Sequence, residues 1–474
     1  MASIKNNAHK GFEGRWRVIE NYTLKDLEKW NEKIEAKVKE EGLNYYEQEF
    51  EIVSYNDMLS YETYTGMPSR YPHWSFGKAY EKQKTLYNYD LVGLPYEMVI
   101  NSDPCLAYLM KENTLLLQIL TMAHVYGHND FFKNNRLFVI GTDASYTIQM
   151  FKNDADIIRG YINDPAIGND KVEHILDAAH AIRYQTLRVI GAKRLSQKEI
   201  KKNIINDFNK KIENRNPYEP IKETKEPDLN KIPLEPEDDI VYFIENHAPL
   251  EEWERNIIEI VRKETFYFIP QIETKIMNEG WASFWHYTIL NELDLPAGLH
   301  LEFIKRHNDV IAPLFGSMNP YYLGFMLLKD IEKRYGRDKL FEVRKIERDE
   351  SFIRRYLTRE LCEKLNLFEY SSKNGEYTID DVADEEGWMN IRNSICSSCG
   401  MNNIPLIRVI DMSPKDNTLT LEHVYDGREL NLSYAESTLK YMVDLWKSKI
   451  VLLTKVNGKE HRITCDESKR IFEV

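Results

Sequence analysis

An apolar run, LLLQILTMAHVYGH at residues 115–128, leaves the chain little choice of local structure. It predicts a helix over about 107–129 that ends in two histidines, His124 and His128, four residues apart. Residues four apart on a helix lie on nearly one face, so two imidazoles placed this way can share one ion. The spacing is that of a helical HExxH zinc site, but Val125 stands where the glutamate would follow the first histidine. A metal reading therefore needs carboxylates from elsewhere in the chain. The alternative is a packed, hydrogen-bonded pair of core histidines.

Two segments offer those carboxylates. In IMNEGWASFWH (276–286), Glu279 sits among Ile276, Met277, Trp281, Phe284 and Trp285, where a carboxylate is costly to bury unless paired or bound to a cation. His286 follows seven residues later, nearly on the same face but about 10 Å along the axis, too far for easy sharing of one ion. Glu279 is thus the better third ligand or base, and His286 a supporting, substrate-facing or second-metal residue. In VEHILDAAH (172–180), Glu173, Asp177 and His180 form one stripe of a helix. Asp177 and His180 have the spacing of the Glu-x-x-His pattern in carboxylate-bridged two-metal bundles, and Glu173 is a candidate base. The apolar residues Ile175, Leu176, Ala179 and Ile182 lie on a neighbouring stripe, so the polar set also fits an exposed flank.

Periodicity predicts further helices at 23–42, 171–192, 241–294 (interrupted at Pro270), 320–335 and 350–366. After residue 373 the pattern changes to strands at 404–411 and 418–427, a helix at 435–446, and a hairpin at 449–464 turning at Asn457-Gly458. The fold class is a mainly α-helical core, α+β overall, with a small C-terminal α+β module. The expected division is 1–212, a Pro-rich charged linker or wrapped loop at 213–240, 241–372, and 373–474. The 213–240 segment carries five prolines and thirteen charged residues, which resist burial and regular structure.

Net charge is −13 and no Lys/Arg run stands out, which excludes a general nucleic-acid binder. No stretch approaches the ~20 apolar residues of a membrane span, and no apolar signal core opens the chain. Five scattered cysteines fit a reducing compartment, so a cytoplasmic protein is expected. Cys396-x-x-Cys399 is a lone pair without a second pair at zinc-ribbon spacing. His73-Trp74 and His307 lie near loops where they can meet substrate. Phosphate loops, dinucleotide fingerprints and serine-nucleophile elbows are missing from the sequence.

The strings HWSFGK (73–78), VINSDPC (99–105), AHVYGHNDFFKNN (123–135), VEHILDAAHAI (172–182), TKIMNEGWASFWHY (274–287), NPYYLGF (319–325) and YDGREL (425–430) are long, uncommon and spread along the chain. In them the chain resembles the SpoVR family, named for stage V sporulation protein R. The resemblance implies an association with bacterial sporulation and assembly of the spore's peptidoglycan cortex. The same strings hold Asn134, Asn135, Asn278 and Trp281, candidates for contacting substrate. The expected activity is a metal-dependent hydrolase with a divalent ion, zinc foremost, acting on a protein or cell-wall precursor. The alternative is a non-enzymatic assembly or regulatory protein working through partner binding.

Overall fold

The computed structural model describes residues 22–88, 97–213, 226–313, 318–367, 369–373, 376–381, 384 and 386–473. Part of the Pro-rich segment, 214–225, lies outside the described residues. The protein has a mainly helical core with a small C-terminal β-rich module. It divides into two compact units, one made of residues 1–156 and 269–402, the other of 157–268 and 403–474. These units are interleaved in sequence, because packing partners are drawn from distant parts of the chain.

The first unit is built on two helices, Leu115–Asn134 and Lys275–Glu292, with Pro320–Tyr335 against the latter. In Leu115–Asn134 every residue from Leu116 to Phe132 is buried, so this helix is enclosed on all sides. Two of its buried polar side chains are paired across the core. Asn129 exchanges hydrogen bonds with the Tyr46 backbone, and Asp130 accepts from the Asn44 amide and Trp281 Nε1. The helix was expected to begin near 107. Residues Cys105–Met110 instead form the central strand of a three-stranded sheet, parallel to Gln48–Val53 and antiparallel to Glu97–Ile100. A short apolar run satisfies a buried strand as well as a helix, and Thr114 resolves the choice by capping the helix onset.

Glycines set how closely the helices approach. A Cβ on Gly127, between the two histidines, would stand 2.7 Å from Ala282 Cα. Gly280 and Gly324 meet backbone to backbone in the same way. Asp349 accepts from the Ile276 and Met277 amides at 2.8 and 2.9 Å, satisfying the opening of the Lys275–Glu292 helix.

The second unit holds a five-stranded sheet in the order Ile471–Glu473, Lys459–Cys465, Ile450–Val456, Leu419–His423, Ile407–Met412. The hairpin turns at Asn457 and Gly458, both with positive φ, as the Asn-Gly pair demands. Helices Leu432–Trp446 and Asn169–Ile182 pack together in this unit. The latter stops ten residues short of the expected end at 192.

Candidate metal centre

The close approach of the helices brings four polar side chains to one spot. His124 and His128 project from one face of the first helix, their ring centroids 4.6 Å apart. Glu279 Oε2, from the facing helix, stands 3.6 Å from His128 Nε2 and 3.9 Å from His124 Nε2. Glu97 Oε1, at the start of its strand, stands 3.8 Å from His124 Nε2. Among the described residues, Glu97, His124 and His128 form the group whose ligand atoms all lie within 4.8 Å of one another, and this group could hold a divalent ion. The Glu97 and Glu279 side chains keep 18% and 20% of their exposure, so solvent reaches the edge of the cluster.

His124 Nε2 and Glu279 Oε2 are sealed from solvent and have no hydrogen-bond partner. The Nδ1 atoms on the far sides of the rings are engaged. His128 Nδ1 donates to the Asn278 side-chain oxygen at 2.9 Å, which leaves the lone pair on Nε2. His124 Nδ1 lies 2.9 Å from His286 Nδ1, and His286 Nε2 lies 2.8 Å from His307 Nδ1. Burial, reinforced by His124, pushes His128 down to about 4. Burial and the neighbouring imidazoles hold His286 well below its ordinary value, and burial with Lys329 and His124 brings His307 down to about 4. His128, His286 and His307 are therefore neutral near pH 7.

The two carboxyls differ. Burial would raise Glu279, but the two histidines and the Tyr321 hydroxyl outweigh it and hold the group below its usual range. Burial raises Glu97, and the Glu279 charge adds to the rise, against His124. Tyr321 is pushed up by the Glu279 charge and by burial, so its hydroxyl keeps its proton.

Other sequence candidates lie elsewhere in the bonding pattern. Trp281 is buried and donates to Asp130. Asn135 caps the next helix through Leu137 N and donates to the Arg344 and Glu347 carbonyls. Asn134 exchanges bonds with Asn44 and donates to the Asp130 carbonyl. Glu173, Asp177 and His180 are half-buried on Asn169–Ile182, in the second unit, whereas the histidine pair belongs to the first. Cys396 and Cys399 are buried free thiols.

Sequence reasoning did not single out Glu97 or Tyr321, and placed His307 only near a loop. Glu97 sits on a four-residue strand with no spacing relation to the histidines. Its one cue was its place two residues before the VINSDPC string. Tyr321 lies within NPYYLGF, and Gly127 within HVYGH itself; a glycine inside a helical pattern signals close packing.

Comparison with known proteins gives the family. The family described as SpoVR like protein matches residues 21–404, and the SpoVR-like C-terminal domain matches 405–457. An uncharacterized protein of Escherichia coli (strain K12), YcgB, is 34% identical over 480 residues, covering 91% of this chain and 92% of its own length. No solved structure matches. Among the described residues, no helix is long and apolar enough to cross a membrane. With matches that run from residue 21 to 457 and take in both histidines and both carboxylates, the chain belongs to the SpoVR family.

Proposed function

We propose that this chain is a metal-dependent hydrolase in which His124, His128 and Glu279 hold one divalent ion, zinc foremost, with Glu97 beside it. The observation that carries the reading is the pair of sealed, unpartnered atoms His124 Nε2 and Glu279 Oε2 facing each other with His128 Nε2 alongside. Separations of 3.6–3.9 Å are too long for hydrogen bonds. They approach the roughly 3.3 Å expected between ligands around a tetrahedral ion with bonds of about 2.0–2.1 Å. A buried polar atom left without a partner costs about 1–3 kcal/mol, and a shared cation relieves several such atoms at once.

Glu279 is assigned as ligand because its Oε2 stands 3.9 and 3.6 Å from the two imidazole Nε2 atoms, whereas Glu97 comes that close to His124 alone. Glu97 reaches His124 from its own strand and is the carboxylate left to accept a proton from the attacking water. It takes the role that sequence spacing had suggested for Glu173. A bound divalent ion acidifies water and polarises a substrate carbonyl or phosphoryl group. Asn278 keeps the His128 lone pair directed into the cluster, and Tyr321 offers Glu279 a hydroxyl. The family's association with the spore cortex makes a cell-wall precursor the first substrate class to assay.

The second reading is an assembly or regulatory protein in which the histidines and carboxylates form only a structural polar network. The internal pairing of both Nδ1 atoms favours it as much as it favours a metal centre. Elemental analysis of purified protein beside a folded His124→Ala/His128→Ala variant separates the two. Near-stoichiometric metal, lost in the variant, is expected. No metal in either protein, even after reconstitution with zinc, iron or manganese, would overturn the hydrolase reading.

A further inference from the structure

His286 and His307 make no contact that the ion-binding reading uses, yet both are buried, 0% and 2% exposed, among aromatic rings. Each lies on its own helix, Lys275–Glu292 and Ala297–Val310. With His124 they form an unbroken chain of ring-to-ring hydrogen bonds, Nδ1 to Nδ1 at 2.9 Å and then Nε2 to Nδ1 at 2.8 Å. Each neutral imidazole has one donor and one acceptor, so the protons in such a chain are not independent. If His124 Nε2 gives its lone pair to an ion, its proton must sit on Nδ1. His286 Nδ1 then accepts, His286 Nε2–H donates, and His307 Nδ1 accepts. With an ion on His124 Nε2 this is the one arrangement that keeps both hydrogen bonds; with no ion there, the reversed chain, which puts the His124 proton on Nε2, keeps them as well.

Resting on the metal-centre reading above, we propose that His286 and His307 are positioning residues which orient the His124 ring and accept its Nδ1 proton when its Nε2 lone pair goes to the ion. Without them, the Nδ1–H that His124 must carry when its Nε2 binds an ion would be buried with no acceptor. Partners of this kind commonly contribute 10–100-fold to metal affinity, by fixing the tautomer and orientation of a ligand imidazole. His128 obtains the same service from Asn278. The two ligands are thus oriented by separate devices, one a single amide and the other a relay of two rings.

The chemistry dictates the variants. Gln at 286 keeps a planar acceptor and donor, so it can accept from His124 and donate to His307; Leu can do neither. His307→Phe removes the terminal acceptor and keeps the ring volume. Zinc affinity would be measured by chelator competition on the full chain, with the visible spectrum of the cobalt-loaded protein reporting coordination geometry. We expect His286→Leu to lose about 10–100-fold in affinity and to alter the cobalt spectrum. His286→Gln should stay within a few-fold of the parent with the parent spectrum, and His307→Phe should show a smaller loss. If Leu at 286 prevents folding, the same ordering of Gln above Phe decides. Equal affinity and spectra in all variants would overturn the positioning role and leave the metal centre standing. Equal loss in Gln and Leu would also overturn it, because the hydrogen-bond pattern would then be irrelevant. A parent protein that binds neither zinc nor cobalt would overturn both the metal centre and this inference.

Discussion

Gly280 and Gly324 touch through their backbones: a Cβ built on Gly280 would stand 2.5 Å from Gly324 Cα and 2.9 Å from Phe325 N. The obstacle is main chain, which cannot rotate aside, so Gly280→Ala must push the Glu279 and Tyr321 helices apart. Overpacking of this kind costs about 1–3 kcal/mol or more. Because Glu279 is the next residue, the displacement should also weaken ion retention. Gly298→Ala is the control, since nothing lies within 4 Å of the added carbon. Denaturant midpoints and metal content of the two variants check this: both should fall in Gly280→Ala and neither in Gly298→Ala.

That contact also marks where the sequence was readable and where it was not. The helix carrying His124 and His128 follows from local spacing, as does the Asn457-Gly458 hairpin, because both depend on neighbours a few residues apart. Glu279 stood out because a carboxylate in an aromatic segment needs a reason. Glu97 gave no such sign: it enters the cluster through strand pairing to Cys105–Met110, a tertiary event without a periodic signature. The relay to His307 depends on a third helix, and no spacing in the chain links residues 124, 286 and 307. The strand at Cys105–Met110 was absorbed into the following helix because an apolar run carries no information about which it will join.

The two carboxylates should separate by phenotype. Glu279→Gln is expected to lower ion affinity by one to two orders of magnitude, while Glu97→Gln retains the ion and loses turnover by about 10²–10⁴-fold, the usual contribution of a general base. Metal-free stability should not fall in Glu97→Gln, which removes a buried carboxyl facing a like charge, and should fall only modestly in Glu279→Gln, whose charge the histidines and Tyr321 favour. Metal titration, hydrolysis assays and thermal melting of the chelator-treated proteins check the three parts. A large loss of stability in Glu279→Gln would assign that carboxylate to the fold.

Removing the ion should be visible in stability. A ligand bound only by the folded state, at 100 times its Kd, contributes about 2.7 kcal/mol. Chelation is therefore expected to lower the melting temperature of the parent protein, and zinc to restore it. The His124→Ala/His128→Ala variant should respond to neither. Differential scanning calorimetry with and without chelator makes the comparison, and an equal response in both proteins would place the ion elsewhere.

Asp349 gives the prediction in pH. It is buried at the opening of the Glu279 helix, and burial pushes its carboxyl up to about 8, against the Ile276 and Met277 amides that favour the charged form. The Glu273 and Glu279 charges raise it further, and Cys399 is the thiol that feels its charge. With the folded value above the unfolded one near 3.8, the unfolded chain holds fewer protons between about pH 4 and 8. This group's contribution to stability is thus fully present below pH 4 and is lost as pH rises toward 8. Asp349→Asn keeps the shape and one acceptor but does not titrate. The stability of the parent relative to Asp349→Asn should therefore decline steadily from pH 5 to pH 8 and level off above. Urea midpoints of both chelator-treated proteins across that range test it. A constant gap would mean that the two backbone donors and the helix N-terminus keep Asp349 ionised throughout.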